Sequence, residues 1–296
     1  MMTEVSFSSG QLVLLNAILA LMIFGVSLGL KPGDFARILK APKAPITGLA
    51  AQFILLPAFT SLGIWWLAPD PAIALGMLLV AACPGGNFSN IMTWIARGDV
   101  AVSVSMTAVS SLAAVVLTPF NFAFYASLNP VTQPLVSSIA IDPWQMISLF
   151  VLVLIIPLAL GMLVGARFPR WVDKTEAPFR IISMLILFVF VGIALWQNLD
   201  AIALVLGPVI LWVIVHNAFA LGVGNLSARL LKLRPSEQRA ITLEVGIQNS
   251  ALGLAILFTF FADQRAMILV AGFWGIWHLV TGTSLAYFWS RRAPAE

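Results

Sequence analysis

The stretch EVGIQNSALG, residues 244 to 253, places a carboxylate, two amides and two glycines inside a run that is otherwise apolar. A second stretch, AACPGGNFSNIMTWIARG (81 to 98), brings Asn87, Ser89 and Asn90 directly after Pro84, Gly85 and Gly86. Ser103 and Thr107 follow at a spacing of one helical turn and so share a face, and Gln52 interrupts an earlier apolar run. Glu244, Gln248, Gln52, Ser89, Asn90, Ser103 and Thr107 all offer oxygen, the donor that hard cations take in numbers. Backbone carbonyls freed at a helix interruption would add to the set. The pair Ser103 and Thr107 does not decide the matter alone, because hydroxyls often just hydrogen-bond between packed transmembrane helices.

Glu244 is the least ordinary of these residues. Of the twelve acids, Glu4, Asp34, Asp70, Asp142, Asp173, Glu176, Asp200, Glu237, Asp263 and Glu296 fall in joints or at helix ends, and Asp99 begins a helix. Glu244 lies eight residues past Ser236, which at ~1.5 Å per residue is ~12 Å into a bilayer. An acid there costs at least ~2.5 to 3.5 kcal/mol, so something must compensate it. No Lys or Arg lies at comparable depth, which leaves His216, His278, a proton or a cation.

The elements that must carry these residues are membrane helices. The chain of 296 residues is 60% hydrophobic and 9% charged, with a mean hydropathy of +1.00, far from a soluble composition. Nine hydrophobic segments, each long enough to span with ~20 apolar residues, are read at 11–30, 43–67, 72–97, 99–125, 144–166, 178–198, 203–230, 236–261 and 264–289. With the N-terminus outside, the inner joints and adjacent helix ends carry Lys31, Arg37, Lys40, Lys43, Arg97, Arg167, Arg170, Lys174, Arg180, Arg229, Lys232, Arg234, Arg239, Arg291 and Arg292, leaving Arg265 as the one basic residue outside. So one-sided a distribution predicts a multi-pass protein with its C-terminus in the cytoplasm, and it accounts for the basic pI without nucleic acid. Trp65, Trp66, Trp144 and Trp196 near outer ends and Trp94, Trp171 and Trp289 near inner ends agree. The first segment lacks a basic leader and a small-residue cleavage pattern, so it is expected to remain as a helix. The lone Cys83 excludes an internal disulfide.

The third and eighth segments are predicted to be broken. Pro84, Gly85 and Gly86 are poor helix formers, and Gly246 is expected to permit the second interruption. Broken backbone in lipid must face protein, water or an ion. The two segments stand five apart, so segments one to four align with six to nine in opposite direction. Such an inverted repeat, with matched interruptions, points to a transport site near the midplane. Half-helices starting near Asn87 and Asn249 would direct their positive N-terminal ends at the crossing, which favours an anion. Gly161 and Gly165 form a GxxxG, read as close helix packing.

The run PGGNFSNIMTWIARGDVAVSVSMT (84 to 107), with AQFILLP (51 to 57) and EVGIQNSALG, resembles the bile acid:sodium symporter family in its nine-helix, bacterial form, over nearly the whole chain. The resemblance implies an all-α polytopic fold with a panel (about 11–30 and 144–198) and a core (about 43–125 and 203–289) in which two broken helices cross. It implies one sodium ion among Ser89, Asn90, Ser103, Thr107 and Glu244. It implies a second among Gln52, Gln248, Glu244 and the carbonyls of Val245 and Ile247. Asn249 and His278 match positions lining the substrate cavity, and Asn87 opens the first half-helix toward it. Asn87 and Phe88 stand where smaller residues are common in the family, and Leu279 where a polar one is.

The function expected is therefore symport of a small organic anion with two Na+ across a bacterial inner membrane, with lipid as the surrounding partner and no protein partner evident. Three alternatives stand beside it: proton-coupled or uncoupled anion transport with Glu244 as the protonatable group, an intramembrane hydrolase using a serine with His216 or His278, and a receptor. No serine-protease or metal-hydrolase signature is present.

Overall fold

Proline and aspartate set several helix boundaries, and the computed structural model reads accordingly. It describes residues 40–138, 151–175, 199–261 and 263–292, with isolated positions between 14 and 29 and between 178 and 189. Every regular element among the described residues is helical. Helix α1 is Lys43–Leu67, followed by α2 (Pro71–Ala82), α3 (Phe88–Ile95), α4 (Val100–Leu128), α5 (Gln133–Ser138), α6 (Ile156–Arg167), α7 (Leu199–Leu230), α8 (Pro235–Gly246), α9 (Ser250–Phe260) and α10 (Arg265–Ser290). Pro71 and Pro235 open α2 and α8, where a missing N–H costs nothing. Asp70 caps α2, accepting from the amides of Ala72 and Ile73, and Asp99 caps α4 through those of Ala101 and Val102.

Four described helices are long and apolar enough to cross a membrane: α1, α4, residues Leu206–Leu230 of α7, and α10. They match the expected segments 43–67, 99–125, 203–230 and 264–289, although α7 as a whole starts at Leu199. The third and eighth segments are split as expected, into α2 with α3 and α8 with α9. The fifth is described from Val151 onward, where a π-helical turn leads into α6. Segments 11–30 and 178–198 fall outside the described residues except at isolated positions. The surface has the polarity of a membrane protein. Ile54, Leu62, Trp66, Val116 and Leu211 are exposed, whereas Gln52, Ser89, Ser103 and Glu244 are buried; in water that apolar surface would aggregate.

The first break follows from Pro84, which disfavours helical geometry at the residue before it: Cys83 is extended (φ −71°, ψ 155°) and α2 stops at Ala82. Three carbonyls at the break find donors on other segments. Ala82 O accepts from Thr118 Oγ1 at 2.8 Å, Cys83 O from Gln52 Nε2 at 2.8 Å and Pro84 O from the Asn249 amide at 2.8 Å. The second break has no proline. Here α8 runs through Gly246 and the chain turns at Ile247 (φ −105°, ψ 90°). Gly246 is therefore helical, and the expectation that its backbone freedom makes the interruption is corrected: no glycine among the described residues has positive φ. What Gly246 provides is close approach, since a Cβ there would overlap the Leu221 side chain of α7. The turn at Ile247 is held by pairing with the first break. Gly86 N donates to Ile247 O at 2.7 Å, and Gly85 and Gln248 form an antiparallel bridge.

One feature of α1 was not legible in the sequence. Residues Ala51–Leu55 form a π-helical turn just before Pro57. Pro57 has no N–H to offer Phe53, and Asn121 of α4 supplies the missing donor, Nδ2 to Phe53 O at 2.8 Å. The widened turn carries Gln52, as such bulges often carry functional residues. The GxxxG reading holds: Cβ atoms at Gly161 and Gly165 would run into the backbone at Phe24 and Leu28, so α6 packs closely on Phe24, Ser27 and Leu28.

Candidate functional site

The crossing brings three helices, α3, α4 and α8, to one carboxylate. Glu244, in the last turn of α8, is 0% exposed. Its Oε2 accepts from Ser89 Oγ at 2.5 Å and Ser103 Oγ at 2.9 Å, and its Oε1 from Thr107 Oγ1 at 2.6 Å. Asn90 Oδ1 lies 2.8 Å from Ser103 Oγ and 3.2 Å from Thr107 Oγ1. A Cβ on Gly85 would overlap the carboxylate, so Glu244 also lies against the backbone of the first break. Six oxygens, the two of Glu244, Asn90 Oδ1 and the hydroxyls of Ser89, Ser103 and Thr107, share four hydroxyl hydrogens, their own three and that of Thr93. That surplus of lone pairs is what a hard cation needs. A donor set with one carboxylate and otherwise neutral oxygens suits a monovalent ion. Among the described residues no group of three His, Cys, Asp or Glu offers a transition-metal site.

The candidates for balancing Glu244 are thereby reduced. His216 Nε2 meets Thr60 Oγ1 at 2.9 Å, its Nδ1 is buried without a hydrogen-bond partner among the described residues, and the ring packs edge-on against Trp274. His278 Nδ1 lies 3.3 Å from Ser250 Oγ. Neither reaches Glu244, and the carboxylate has no ion pair among the described residues. A proton or a cation remains.

A second polar group adjoins the first. Gln52 Nε2 donates to Gln248 Oε1 at 2.6 Å, and Gln248 Nε2 to Val245 O at 2.8 Å. Gln52 Oε1 is buried and has no hydrogen-bond partner among the described residues, an acceptor left over inside the protein. Gln52, Gln248 and Val245 are thus brought together. The Ile247 carbonyl is engaged by Gly86 N, with one lone pair to spare.

On the substrate side, Asn249 caps α9 by accepting from the Leu252 amide at 3.1 Å, which leaves its NH2 for other partners. Ser250, next in the chain, carries the contact to His278. Asn87 precedes α3 without capping it, so its amide is unspent on the helix. Three polar residues were not singled out from the sequence. Thr93 is fully buried one turn beyond Ser89, 3.4 Å from Ser103 Oγ; Asn217 donates to the Gly246 carbonyl and accepts from Thr281. Asn217 follows His216 in mid-segment, and its depth was the signal available.

With this geometry in place, comparison with known proteins is decisive. The profile of the Sodium Bile acid symporter family matches residues 16–205. The chain belongs to this family. It is 30% identical over 280 residues to the uncharacterized sodium-dependent transporter YocS of Bacillus subtilis (strain 168), covering 94% of this chain and 83% of that one. It is 30% identical over 278 residues to the probable chloroplastic sodium/metabolite cotransporter BASS1 of Arabidopsis thaliana, covering 94% and 67%. A human relative, sodium/bile acid cotransporter 4, is 29% identical over 264 residues, covering 88% and 59%. Membership in this family makes the chain a multi-pass membrane transporter and removes the hydrolase and receptor readings.

Proposed function

We propose that the protein is a sodium-coupled symporter that carries a small organic anion into a bacterial cell by alternating access, with two Na+ per anion. The observation that carries this reading is the buried Glu244 carboxylate ringed by hydroxyl and amide oxygens, with no basic partner among the described residues. One ion would sit among Ser89, Asn90, Ser103, Thr107 and Glu244. The other would sit among Gln52, Gln248, Glu244 and the carbonyls of Val245 and Ile247; the unpartnered Gln52 Oε1 supports it. Two sodium ions against one carboxylate leave one positive charge, which an anion at the facing helix N-termini would balance. Asn87, Asn249 and His278 would line that anion's position.

An inverted repeat is supported by like construction of the two breaks. Each is preceded by a 12-residue half-helix opening on proline and followed by a shorter one and a long span. The paired breaks support a core (43–125 and 203–289) that moves as one body, and the packing of α6 on Phe24, Ser27 and Leu28 supports a panel of 11–30 and 144–198. Arg239 donates to Ala96 O and to Arg292 O, gathering helix ends expected on one side, and the basic residues at those ends would make that side the cytoplasmic one.

The test is uptake into proteoliposomes of a steroid acid, a keto acid and a hydroxy acid, with sodium or choline outside. Sodium-dependent uptake of one of these, abolished in Glu244→Gln, is the expected result. Normal uptake by Glu244→Gln with unchanged sodium dependence would sink the scheme, and uptake that follows pH but not sodium would replace sodium coupling with proton coupling.

A further inference from the structure

The last carbonyls of a helix lack the usual intrahelical donor, and at the second break several are met from elsewhere. Leu243 O keeps an ordinary helical bond from Ile247 N at 2.9 Å, whereas Val245 O accepts from Gln248 Nε2 at 2.8 Å and Ile247 O from Gly86 N at 2.7 Å. These donors belong to the crossing itself. The Gly246 carbonyl, which lies between the two proposed carbonyl ligands, is held instead by Asn217 Nδ2 of α7 at 2.8 Å. Asn217 is 0% exposed, and its Oδ1 accepts from Thr281 Oγ1 of α10 at 2.7 Å. That second bond fixes the amide. The Gly246 carbonyl favours this orientation, since a turned amide would set two acceptors against each other, and the Thr281 hydroxyl reinforces it by donating to Oδ1. Thr281 lies one turn beyond His278, whose ring meets Ser250 at the start of α9. A single turn of α10 therefore holds both sides of the break, before it through Asn217 and after it through Ser250.

We infer that Asn217 is a positioning residue for the second sodium position, and that Thr281 orients it. The inference rests on the symport reading above. Ligand carbonyls at 245 and 247 alternate with the carbonyl at 246, so pinning 246 sets the plane in which its neighbours present their oxygens. Groups that orient metal ligands in this way change metal affinity about 10- to 100-fold when removed. The sequence offers no direct sign of this role, because Asn217 and Thr281 lie far from the EVGIQNSALG stretch along the chain.

The test is thermal unfolding of the full chain in detergent as a function of NaCl, with choline chloride holding ionic strength constant. Asn217→Asp replaces the donor with an acceptor, and Thr281→Val keeps the side-chain shape while removing the hydroxyl. Each is expected to raise the sodium concentration for half-maximal stabilisation by about tenfold, and Thr281→Ser is expected to restore it. If Asn217→Asp does not fold, the Thr281 pair decides. Variants that unfold at lower temperature yet respond to sodium at the wild-type concentration would show a purely structural role and overturn the inference alone. A wild-type protein that sodium does not stabilise would overturn the symport reading and this inference with it.

Discussion

Glu244 is tolerable where it lies because three hydroxyls donate to it, and because Gly85 leaves room for it. Gly85→Ala would place a methyl into the carboxylate. Overpacking of this kind costs ~1 to 3 kcal/mol, and since Glu244 would have to move, the loss is expected to fall on the sodium response rather than on folding alone. Thermal shift against NaCl checks it: Gly85→Ala should fold with little or no stabilisation by sodium. Gly253 is a useful contrast, because a Cβ there meets only Cys83 Sγ at 3.5 Å and Ala271 Cβ at 3.9 Å. Gly253→Ala lies inside α9 and should be neutral or stabilise by up to ~1 kcal/mol, with the sodium response unchanged. Both glycines stand near the breaks in the sequence, and nothing in the sequence separates them. The difference is a distance to a residue far away along the chain.

At the scale of elements, α1 is the instructive case. Its apolar run and the Gln52 side chain were readable, but the π-helical turn at Ala51–Leu55 was not, since it depends on Asn121 donating to the carbonyl that Pro57 cannot serve. Asn121→Ala leaves that buried carbonyl unpaired, at ~1 to 3 kcal/mol. The lowered unfolding temperature is expected to recover in part in the double variant with Pro57→Ala, whose new amide can serve Phe53 O. A double-mutant cycle measures this coupling, and strictly additive losses would refute it. The two breaks differ in the same way. The first is written locally, because Pro84 forces Cys83 out of helical geometry. The second is a helix that ends where another backbone pairs with it.

For the whole molecule, the proposed stoichiometry has an electrical consequence. Two Na+ entering with a monoanion move one net positive charge, worth ~2.3 kcal/mol per 100 mV. An inside-negative potential of that size should therefore raise the accumulation ratio roughly 50-fold. Potassium diffusion potentials imposed with valinomycin on proteoliposomes read this directly, and uptake indifferent to the potential would exclude a two-to-one cycle with a monoanion. The same scale accounts for the inverted polarity of the fold. Exposed Trp66, Val116 and Leu211 meet lipid, so the polar residues are free to gather inside, where they serve the ion rather than solubility.

The sequence by itself determined the class of molecule, the positions of the described long helices, the place of both interruptions, and the residue types able to hold a cation. Each of these is local: hydropathy over a span, proline stereochemistry over two residues, a carboxylate with no basic neighbour at its depth. Tertiary structure decided which of those residues meet. It separated His216 and His278 from Glu244, set Ser89, Ser103 and Thr107 upon it, gave the second break its partner in the first, and recruited Asn121 and Asn217 to serve carbonyls that the helices could not, with Thr281 holding Asn217. The reason is that a buried carbonyl needs a donor from somewhere, and where a helix is broken that donor comes from a segment the local sequence does not name.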